Sequence, residues 1–455
     1  MTLTHAEYKT IAKNIRPNGQ AFIDGKFCDA ADGTKFETTN PATGQILANV
    51  AHCKSTDVDR AVVAARRVFN AGTWSRAEPE ERKEVLLKVA ALVREHTHEL
   101  AVLESLDTGK TINDCMDEIG GEVVNFFQWY AELADKSFGK IAPTGPSALA
   151  LIVKEPAGVA GAVLPWNFPL VMAAWKIAPS LAVGCSAVIK PAEQTPLSTI
   201  RLAELMQQAG VPDGVINIVP GYGETAGKAI GMHNDIDTVS FTGSSEVGRM
   251  FMRYSGDSNL KGVGLEMGGK SPFIVLEDAI LDDELIEHAA MSAFWNGGQN
   301  CSANMRQLIA APLVEEFTGR IIDRVKAFKL GDPLDPSTDI GSMITKDHKE
   351  MVMSYIQSGI AEGAGMLMGG DSDFPGHFIK PTVFENVTPE MKIAKEEIFG
   401  PVLGIMSVKN ADEALKIASD TDYGLHATVF TQNIDQALHM ARSLPCGTVS
   451  VNGFS

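Results

Sequence analysis

The chain is poor in cysteine. Only six cysteines occur among 455 residues, and no two of them form a Cys-x-x-Cys pair. A small secreted domain held together by disulfides carries cysteine at a far higher density, so that class is excluded. The thiols are therefore expected to be reduced, and we expect a cytoplasmic protein.

Positive charge is also scarce. The 39 Lys and Arg residues face 57 Asp and Glu residues, which gives a formal net charge of -18. Such a surface repels nucleic acids and anionic membranes, so neither is expected as a partner. The start lacks the apolar core of a signal peptide. The most apolar stretch, residues 159–175, contains Pro165 and Pro169, which argues against a membrane span.

Motifs for metal or serine chemistry are missing. The sequence has no H-E-x-x-H and no G-x-S-x-G. His96 and His98 are two residues apart on a predicted helix, so they face different sides. We therefore expect no metal site.

From residue 159 onward, short apolar strands alternate with helical stretches. The segments "VAGAV", "SAVIK", "GVINIV" and "DTVSFTG" are typical of strands, and each precedes a helical pattern. This alternation predicts a doubly wound parallel sheet, which binds ligands at the carboxyl ends of its strands. A similar series after residue 267 predicts a second α/β domain. Residues 134–153 interrupt the pattern with an apolar hairpin or strand that needs a covering partner.

Two glycine-rich segments stand between a predicted strand and a predicted helix. They are "GYGETAG" from Gly221 and "FTGSSEVG" from Phe241. Glycine lets the backbone approach a phosphate, and a helix N-terminus supplies N–H groups and a positive dipole end. Either segment alone is explained equally well by a tight turn. Two in successive units favour a dinucleotide.

Lys190 and Glu193 follow a buried strand in "VIKPAEQTP". A carboxylate at this place can accept hydrogen bonds from a ribose diol and repel a 2′-phosphate, which favours NAD over NADP. The alternative is a surface ion pair between the two side chains, which stabilises a protein little.

Three residues are candidates for covalent catalysis. Cys301 stands in the polar loop "GGQNCSANMR", whereas a structural cysteine prefers an apolar interior. Glu266 ends a strand-like segment before two glycines and can act as a base, and Asn167 lies in "PWNFP" and can donate to an oxyanion. The alternatives are a structural cysteine, a solvated strand-end charge and a turn asparagine.

Together these motifs resemble the aldehyde dehydrogenase superfamily along nearly the whole chain. The matches, in the family's order, are "PWNFP", "KPAEQTP", "FTGSSEVG", "LEMGGKSP", "GQNCSANMR" and "EEIFGPV". The chain looks most similar to the branch that acts on amino-aldehydes, betaine aldehyde and γ-glutamylaminobutyraldehyde.

The resemblance implies oxidation of a small aldehyde to a carboxylic acid with NAD, through a thiohemiacetal and a thioester on Cys301. Asn167 and the Cys301 backbone N–H would hold the oxyanion, Glu266 would activate water, and Lys176 would belong to a proton path. Cofactor contacts are implied for Lys190, Glu193, Trp166, Gly223, Gly243, Ser244, Glu397 and Phe399. The aldehyde tunnel is implied to include Phe168, Met172, Trp175 and Trp295. A CoA-acylating relative is the alternative, and Glu266 disfavours it.

The resemblance also implies a three-part fold. A Rossmann-like dinucleotide domain would comprise residues 1–132 and 153–266, and an α/β catalytic domain residues 267–440. Residues 133–152 would form a small β segment for assembly into a homodimer or homotetramer. Residues 441–455 would be a shortened C-terminal segment, since family members continue through a "PFGG" loop. The alternative expectation is an NAD-binding but catalytically impaired protein.

An acidic segment leaves two interpretations open. Glu104, Asp107, Asp114 and Asp117 cluster in "LESLDTGKTINDCMDEIGGE". They either line the tunnel mouth and attract an amine-bearing aldehyde, or form a solvated helix face.

Overall fold

The computed structural model describes residues 3–453. The helices are α1 (His5–Asn14), α2 (Ser55–Ala71), α3 (Pro79–Glu95), α4 (Thr97–Thr108), α5 (Ile112–Asp117), α6 (Val124–Leu133), α7 (Pro169–Ala182), α8 (Leu197–Ala209), α9 (Lys228–Met232), α10 (Ser245–Gly256), α11 (Asp283–Phe294), α12 (Val314–Lys326), α13 (Lys346–Ala361), α14 (Lys392–Lys395), α15 (Ala411–Ser419) and α16 (Ile434–Ser443). Short π- or 3-10-helical turns are Glu118–Val123, Gly223–Gly227, Trp295–Gly298 and Ala311–Leu313.

The strands form two large sheets and two hairpins. They are β1 (Ala21–Ile23), β2 (Lys26–Cys28), β3 (Lys35–Thr39), β4 (Ile46–Ala51), β5 (Lys140–Ala142), β6 (Ala150–Ile152), β7 (Val159–Val163), β8 (Ser186–Lys190), β9 (Ile216–Ile218), β10 (Thr238–Gly243), β11 (Gly262–Met267), β12 (Pro272–Val275), β13 (Arg306–Ala310), β14 (Gly365–Asp371), β15 (Ile379–Glu385), β16 (Val402–Val408), β17 (His426–Phe430) and β18 (Thr448–Val451).

The first sheet has seven strands in the order β11-β10-β7-β8-β9-β1-β2. Its centre is parallel, because β7 pairs in parallel with β10 and β8, and β8 with β9. All residues of β7 and β8 are buried, as expected where helices cover both faces of a parallel sheet. The predicted doubly wound sheet is therefore confirmed.

The second sheet also has seven strands, in the order β14-β15-β16-β13-β12-β17-β18. The five neighbouring pairs β15–β16, β16–β13, β13–β12, β12–β17 and β17–β18 are all parallel. The edge strand β14 pairs with β15 in the antiparallel direction. This sheet confirms the predicted second α/β region.

By its internal contacts, the described chain divides into two compact units. The first unit comprises residues 3–40, 45–107 and 112–266, and the second comprises residues 41–44, 108–111 and 267–453. Each unit contains buried apolar clusters of its own. In the first unit such a cluster surrounds β7 and β8, and in the second unit apolar clusters pack against the second sheet. The three-part division by function stays a prediction.

Residues 133–152 contain the antiparallel hairpin of β5 and β6, in which Ile141 pairs with Leu151. Five of the six side chains in its two strands are exposed, and Ile141 is 74% accessible. Between residues 3 and 453, no helix combines the length and the apolar composition needed to cross a bilayer.

Candidate active site

In the first unit, three neighbouring strands end side by side. Phe241 of β10 pairs with Val163 of β7, and Val163 pairs with Lys190 of β8. The chain leaves β7 for β8 on one side and reaches β10 on the other, so β7 lies at the point where the strand order reverses. Ligands of open α/β sheets bind at such a point. The segments that follow these strands contain five of the first unit's predicted site residues, which are Trp166, Asn167, Phe168, Glu193 and Ser244.

Trp166, Asn167 and Phe168 lie in the loop that follows β7. Asn167 and Phe168 are buried, and Pro169 begins α7. Proline suits the first helical position because its fixed φ is already helical. Met172 lies in the first turns of α7 and is buried, whereas Trp175 is 42% exposed and packs against Phe126 with ring centroids 5.2 Å apart.

Lys176 and Glu266 lie close enough to shift each other's pKa. The Lys176 ammonium donates a hydrogen bond of 2.7 Å to Thr242 Oγ1. Burial lowers the pKa of Lys176 to about 8, while Glu266 raises it. Burial likewise raises the pKa of Glu266 above its usual value, and Lys176 lowers it. Glu266 is half-buried in β11, and its raised pKa makes the ionised carboxylate a better proton acceptor than an ordinary glutamate.

Lys190 and Glu193 form an ion pair at the end of β8. The Lys190 ammonium donates to Glu193 Oε2 at 2.9 Å and to the Pro191 carbonyl at 2.9 Å. The ion pair that the alternative interpretation predicts is therefore present, but Lys190 is only 2% exposed, so the pair does not lie on the open surface. Burial lowers the pKa of Lys190, and the Glu193 carboxylate counteracts this shift.

The two glycine-rich segments both begin helices, as predicted. Gly223 opens a π-helical turn, and no atom lies within 4 Å of the position that a Cβ would take there. Ser244 is the N-cap of α10, and its hydroxyl accepts from Val247 N–H at 3.3 Å. Gly243 ends β10 directly before it. Two helix starts in successive strand–helix units are a pattern that fits the phosphates of a dinucleotide.

In the second unit, Cys301 follows a loop with unusual backbone geometry. Asn296, Gly297 and Gly298 have φ values of 53°, 61° and 71°, in the left-handed region that favours glycine. A Cβ on Gly298 would lie 2.5 Å from the Gly400 carbonyl oxygen. Gln299 fixes the loop, since its Oε1 accepts from Ile344 N–H at 3.0 Å. The Cys301 side chain is partly exposed, in contrast to a core cysteine.

Glu397 is held by the glycines of "LEMGGKSP". Its Oε1 accepts from Gly269 N–H at 3.1 Å, and a Cβ on Gly268 would overlap its carboxylate. Burial raises the pKa of Glu397 to about 7, while the Gly269 N–H and the Lys270 ammonium lower it. The Glu397 carboxyl group therefore gains or loses its proton close to neutral pH.

Phe399 and Trp295 complete the predicted residues of the second unit. Phe399 adopts a φ of 56°, which is rare for an aromatic residue, and its carbonyl lies 2.7 Å from His348 Nε2. Trp295 begins the helical turn before the Cys301 loop and is partly buried.

The sequence indicates Thr242 only as a residue at the end of a predicted strand, without a role. It gives no separate indication of Lys270, although this lysine stands inside "LEMGGKSP". The acidic segment was also misjudged, because Glu104 is 0% and Asp107 is 1% exposed. A solvated helix face is wrong for these two residues, and burial also removes them from a solvent-facing tunnel mouth. The sequence feature that indicates their burial is their spacing of three residues, which places both on the apolar side of α4.

Comparisons with known proteins agree with this geometry. The model of the aldehyde dehydrogenase family matches residues 27–455. An aminoacetaldehyde dehydrogenase of Pseudomonas aeruginosa is 46% identical over 452 residues, which cover 99% of this chain and 91% of that protein. An NADP/NAD-dependent aldehyde dehydrogenase of Escherichia coli is 42% identical over 457 residues, covering 100% of this chain and 92% of that protein.

Solved structures are similar too. The indole-3-acetaldehyde dehydrogenase of P. syringae, in complex with NAD+, superposes with a TM-score of 0.98 at 42% identity, covering 100% of this chain and 92% of that one. A γ-glutamyl-γ-aminobutyraldehyde dehydrogenase of Burkholderia cenocepacia gives a TM-score of 0.97 at 44% identity, with the same coverage. Because the matches run along the whole chain, the alternative of a catalytically impaired protein is not favoured. The chain belongs to the aldehyde dehydrogenase family and is an oxidoreductase of that type.

Proposed function

We propose that this protein oxidises an amino-aldehyde to the carboxylic acid with NAD+. The Cys301 thiolate attacks the carbonyl carbon and forms a C–S bond, giving a thiohemiacetal. Its oxyanion is held by the Asn167 side-chain amide and the Cys301 backbone N–H. NAD+, when bound, supplies the acceptor for the hydride that leaves this carbon, and a thioester on Cys301 remains. Water deprotonated by Glu266 then attacks the thioester, which releases the acid and the Cys301 thiol.

The observation that carries this proposal is the environment of Glu266. The carboxylate is half-buried, its pKa is raised by burial, and the Lys176 ammonium lies close enough to lower it again. A CoA-acylating enzyme hands the acyl group to a thiol and does not need such a base. The geometry therefore favours hydrolysis to a free acid, with Lys176 and Thr242 beside the path of the proton.

The substrate class rests on the relatives. Two proteins at 46% and 44% identity are named for aminoacetaldehyde and γ-glutamyl-γ-aminobutyraldehyde, both of which contain nitrogen. The net charge of -18 supports the approach of a cationic amine. We assign the tunnel to Phe168, Met172, Trp175 and Trp295.

NAD is the cofactor that the ribose-binding region favours. The Glu193 carboxylate is fixed at the end of β8 by Lys190, where a 2′-phosphate would meet a negative charge. Trp166, Gly223, Gly243 and Ser244 would contact the rest of the adenosine diphosphate part, and Glu397 and Phe399 the nicotinamide riboside.

We also assign the first unit to dinucleotide binding and the second to the nucleophile, with residues 133–152 joining subunits of a homodimer or homotetramer. Exposed apolar side chains of the hairpin, such as Ile141 and Leu151, support this assignment. The cytoplasmic location stays a prediction from the cysteine content.

The test is NADH formation over a panel of aliphatic, aromatic and amino-aldehydes, with and without CoA, alongside Cys301→Ala. We expect turnover without CoA, highest for amino-aldehydes, and none for the variant. An obligatory requirement for CoA, or turnover by Cys301→Ala, would contradict the proposal.

A further inference from the structure

Helix α4 places two buried carboxylates one turn apart. Glu104 and Asp107 are 0% and 1% exposed, and both project from the same side of the helix. A buried carboxylate is costly unless hydrogen bonds compensate it, so its partners indicate what it does. Their partners include the first residues of α7 and α8, the helices that follow the loops of Asn167 and Glu193.

Glu104 holds the start of α7. Its Oε2 accepts from Leu170 N–H at 3.2 Å and from the Ser198 hydroxyl at 3.0 Å. Leu170 is the second residue of α7 and lies three residues after Asn167. The N-cap of α7 is Phe168, whose apolar side chain cannot accept a hydrogen bond. The start of α7 therefore takes its capping acceptor from α4.

Asp107 holds the start of α8 and the segment before it. Its Oδ2 accepts from Leu197 N–H at 3.0 Å, and Leu197 is the first residue of α8. The Thr38 hydroxyl lies 2.8 Å from Asp107 Oδ1 and 3.1 Å from the carbonyl oxygen of Gln194, and its single proton can be donated to either oxygen. Gln194 directly follows Glu193. The N-cap of α8 is Pro196, which has no side-chain acceptor either.

We propose that α4 is the positioning element of this site: Glu104 fixes the loop of the oxyanion donor Asn167, and Asp107 fixes the loop of the ribose-binding Glu193. The roles of Asn167 and Glu193 in this inference rest on the proposed function. Catalytic groups need support that locks their own positions, and a rigid helix supplies it to both loops. Glu104 and Asp107 themselves are positioning residues and do not act on the substrate.

The two carboxylates should therefore affect different steps. Glu104→Leu removes the acceptor for Leu170 while keeping the volume, and we expect kcat to fall about 10- to 100-fold, since an oxyanion donor contributes on the order of 100-fold or more. The dissociation constant of NAD+, measured by calorimetry without any aldehyde, should change less than about threefold. Asp107→Ala should raise that constant about tenfold and leave kcat at saturating NAD+ within about threefold.

Conservative variants separate positioning from general stability. Glu104→Gln keeps one oxygen that can accept from both donors, so it should restore most of kcat. Glu104→Asp keeps the charge but moves the carboxylate away from Leu170 N–H, so it should lower kcat. It provides the same test if Glu104→Leu does not fold. Ser198→Ala leaves the Leu170 bond intact and should leave kcat unchanged. Thr38→Val should weaken NAD+ binding in the same direction as Asp107→Ala.

The pattern of effects decides the matter. Separate losses, in kcat for Glu104 and in NAD+ affinity for Asp107 and Thr38, would support the inference. Equal losses of both quantities in all variants, or a fall in melting temperature with unchanged kinetics and binding, would overturn it. If the unaltered protein binds NAD+ but oxidises no aldehyde, the proposed function fails, while the calorimetric comparison of Asp107 and Thr38 variants still tests its half of the inference.

Discussion

The carboxylate of Glu397 accepts a hydrogen bond of 3.1 Å from the backbone N–H of Gly269, although the two residues are 128 positions apart. Gly268 and Gly269 let the backbone of "LEMGGKSP" come this close. Lys270 follows them, is only 4% exposed, and contributes a positive charge that lowers the pKa of Glu397. Two glycines without side chains thus hold a carboxylate that the proposed function assigns to the nicotinamide riboside.

A side chain at Gly268 should displace Glu397. Because a Cβ there would overlap the Glu397 carboxylate, we expect Gly268→Ala to lower kcat/KM for NAD+ by about 100-fold, the scale of a misplaced catalytic contact. Gly264→Ala is the matched control, since the nearest atom to its Cβ would be 4.0 Å away. Steady-state kinetics of both variants checks this, and comparable kinetics for the two would be inconsistent with the close packing.

Removing the Lys270 charge should shift the titration of Glu397. Burial holds the pKa of Glu397 at about 7, and the Lys270 ammonium opposes that shift. In Lys270→Met the ionised form of Glu397 loses the positive charge that stabilises it. The pKa of Glu397 therefore rises, and a larger fraction of Glu397 is protonated at neutral pH. NAD+ affinity, measured by calorimetry at a series of pH values, should then reach its maximum at a higher pH than in the unaltered protein. An unchanged pH dependence would show that Lys270 does not act on Glu397.

The acidic limb of the pH profile should report Glu266. Its pKa is raised by burial, and the base is active only when ionised, so acid release should slow as pH falls through that raised value. Lys176→Met removes a charge that lowers the Glu266 pKa, so the limb should move to higher pH. Steady-state kcat against pH for both proteins is the measurement. A limb that moves to lower pH, or not at all, would contradict this role of Lys176.

Cofactor choice should depend on Glu193. Replacing its charge in Glu193→Gln removes the repulsion of a 2′-phosphate, so the ratio of kcat/KM for NADP+ to that for NAD+ should rise by about tenfold or more. Glu224→Gln is a useful control, because this exposed carboxylate also lies near Lys190. If this ratio rose more in Glu224→Gln than in Glu193→Gln, then Glu224, and not Glu193, would be the residue that discriminates between NAD+ and NADP+.

Much of this organisation follows from local sequence pattern. Strand and helix alternation predicts the first sheet. Asn167 and Glu193 follow its strands and Lys190 ends one of them, so all three lie toward the edge where the parallel strands end. Motifs also select Cys301 by its polar loop. The burial of Glu104 and Asp107 could not be predicted from charge, since composition does not tell which acidic residues find compensating donors.

Contacts between distant segments were equally out of reach. Nothing near Gly269 in the sequence points to Glu397, and nothing near Lys176 points to Thr242, because only the folded chain brings these segments together. The pKa shifts on which the proposed chemistry depends arise first from burial in the folded chain, and nearby groups such as Gly269 and Lys270 then modify them.

The most direct test of the central claim is to trap the acyl group. In Glu266→Gln, thioester hydrolysis should be slow, so mixing this variant with NAD+ and an amino-aldehyde should release about one equivalent of NADH per site and then stop. Intact and peptide mass spectrometry should then find the acyl group on Cys301. NADH release without an adduct, or an adduct on another residue, would contradict the account.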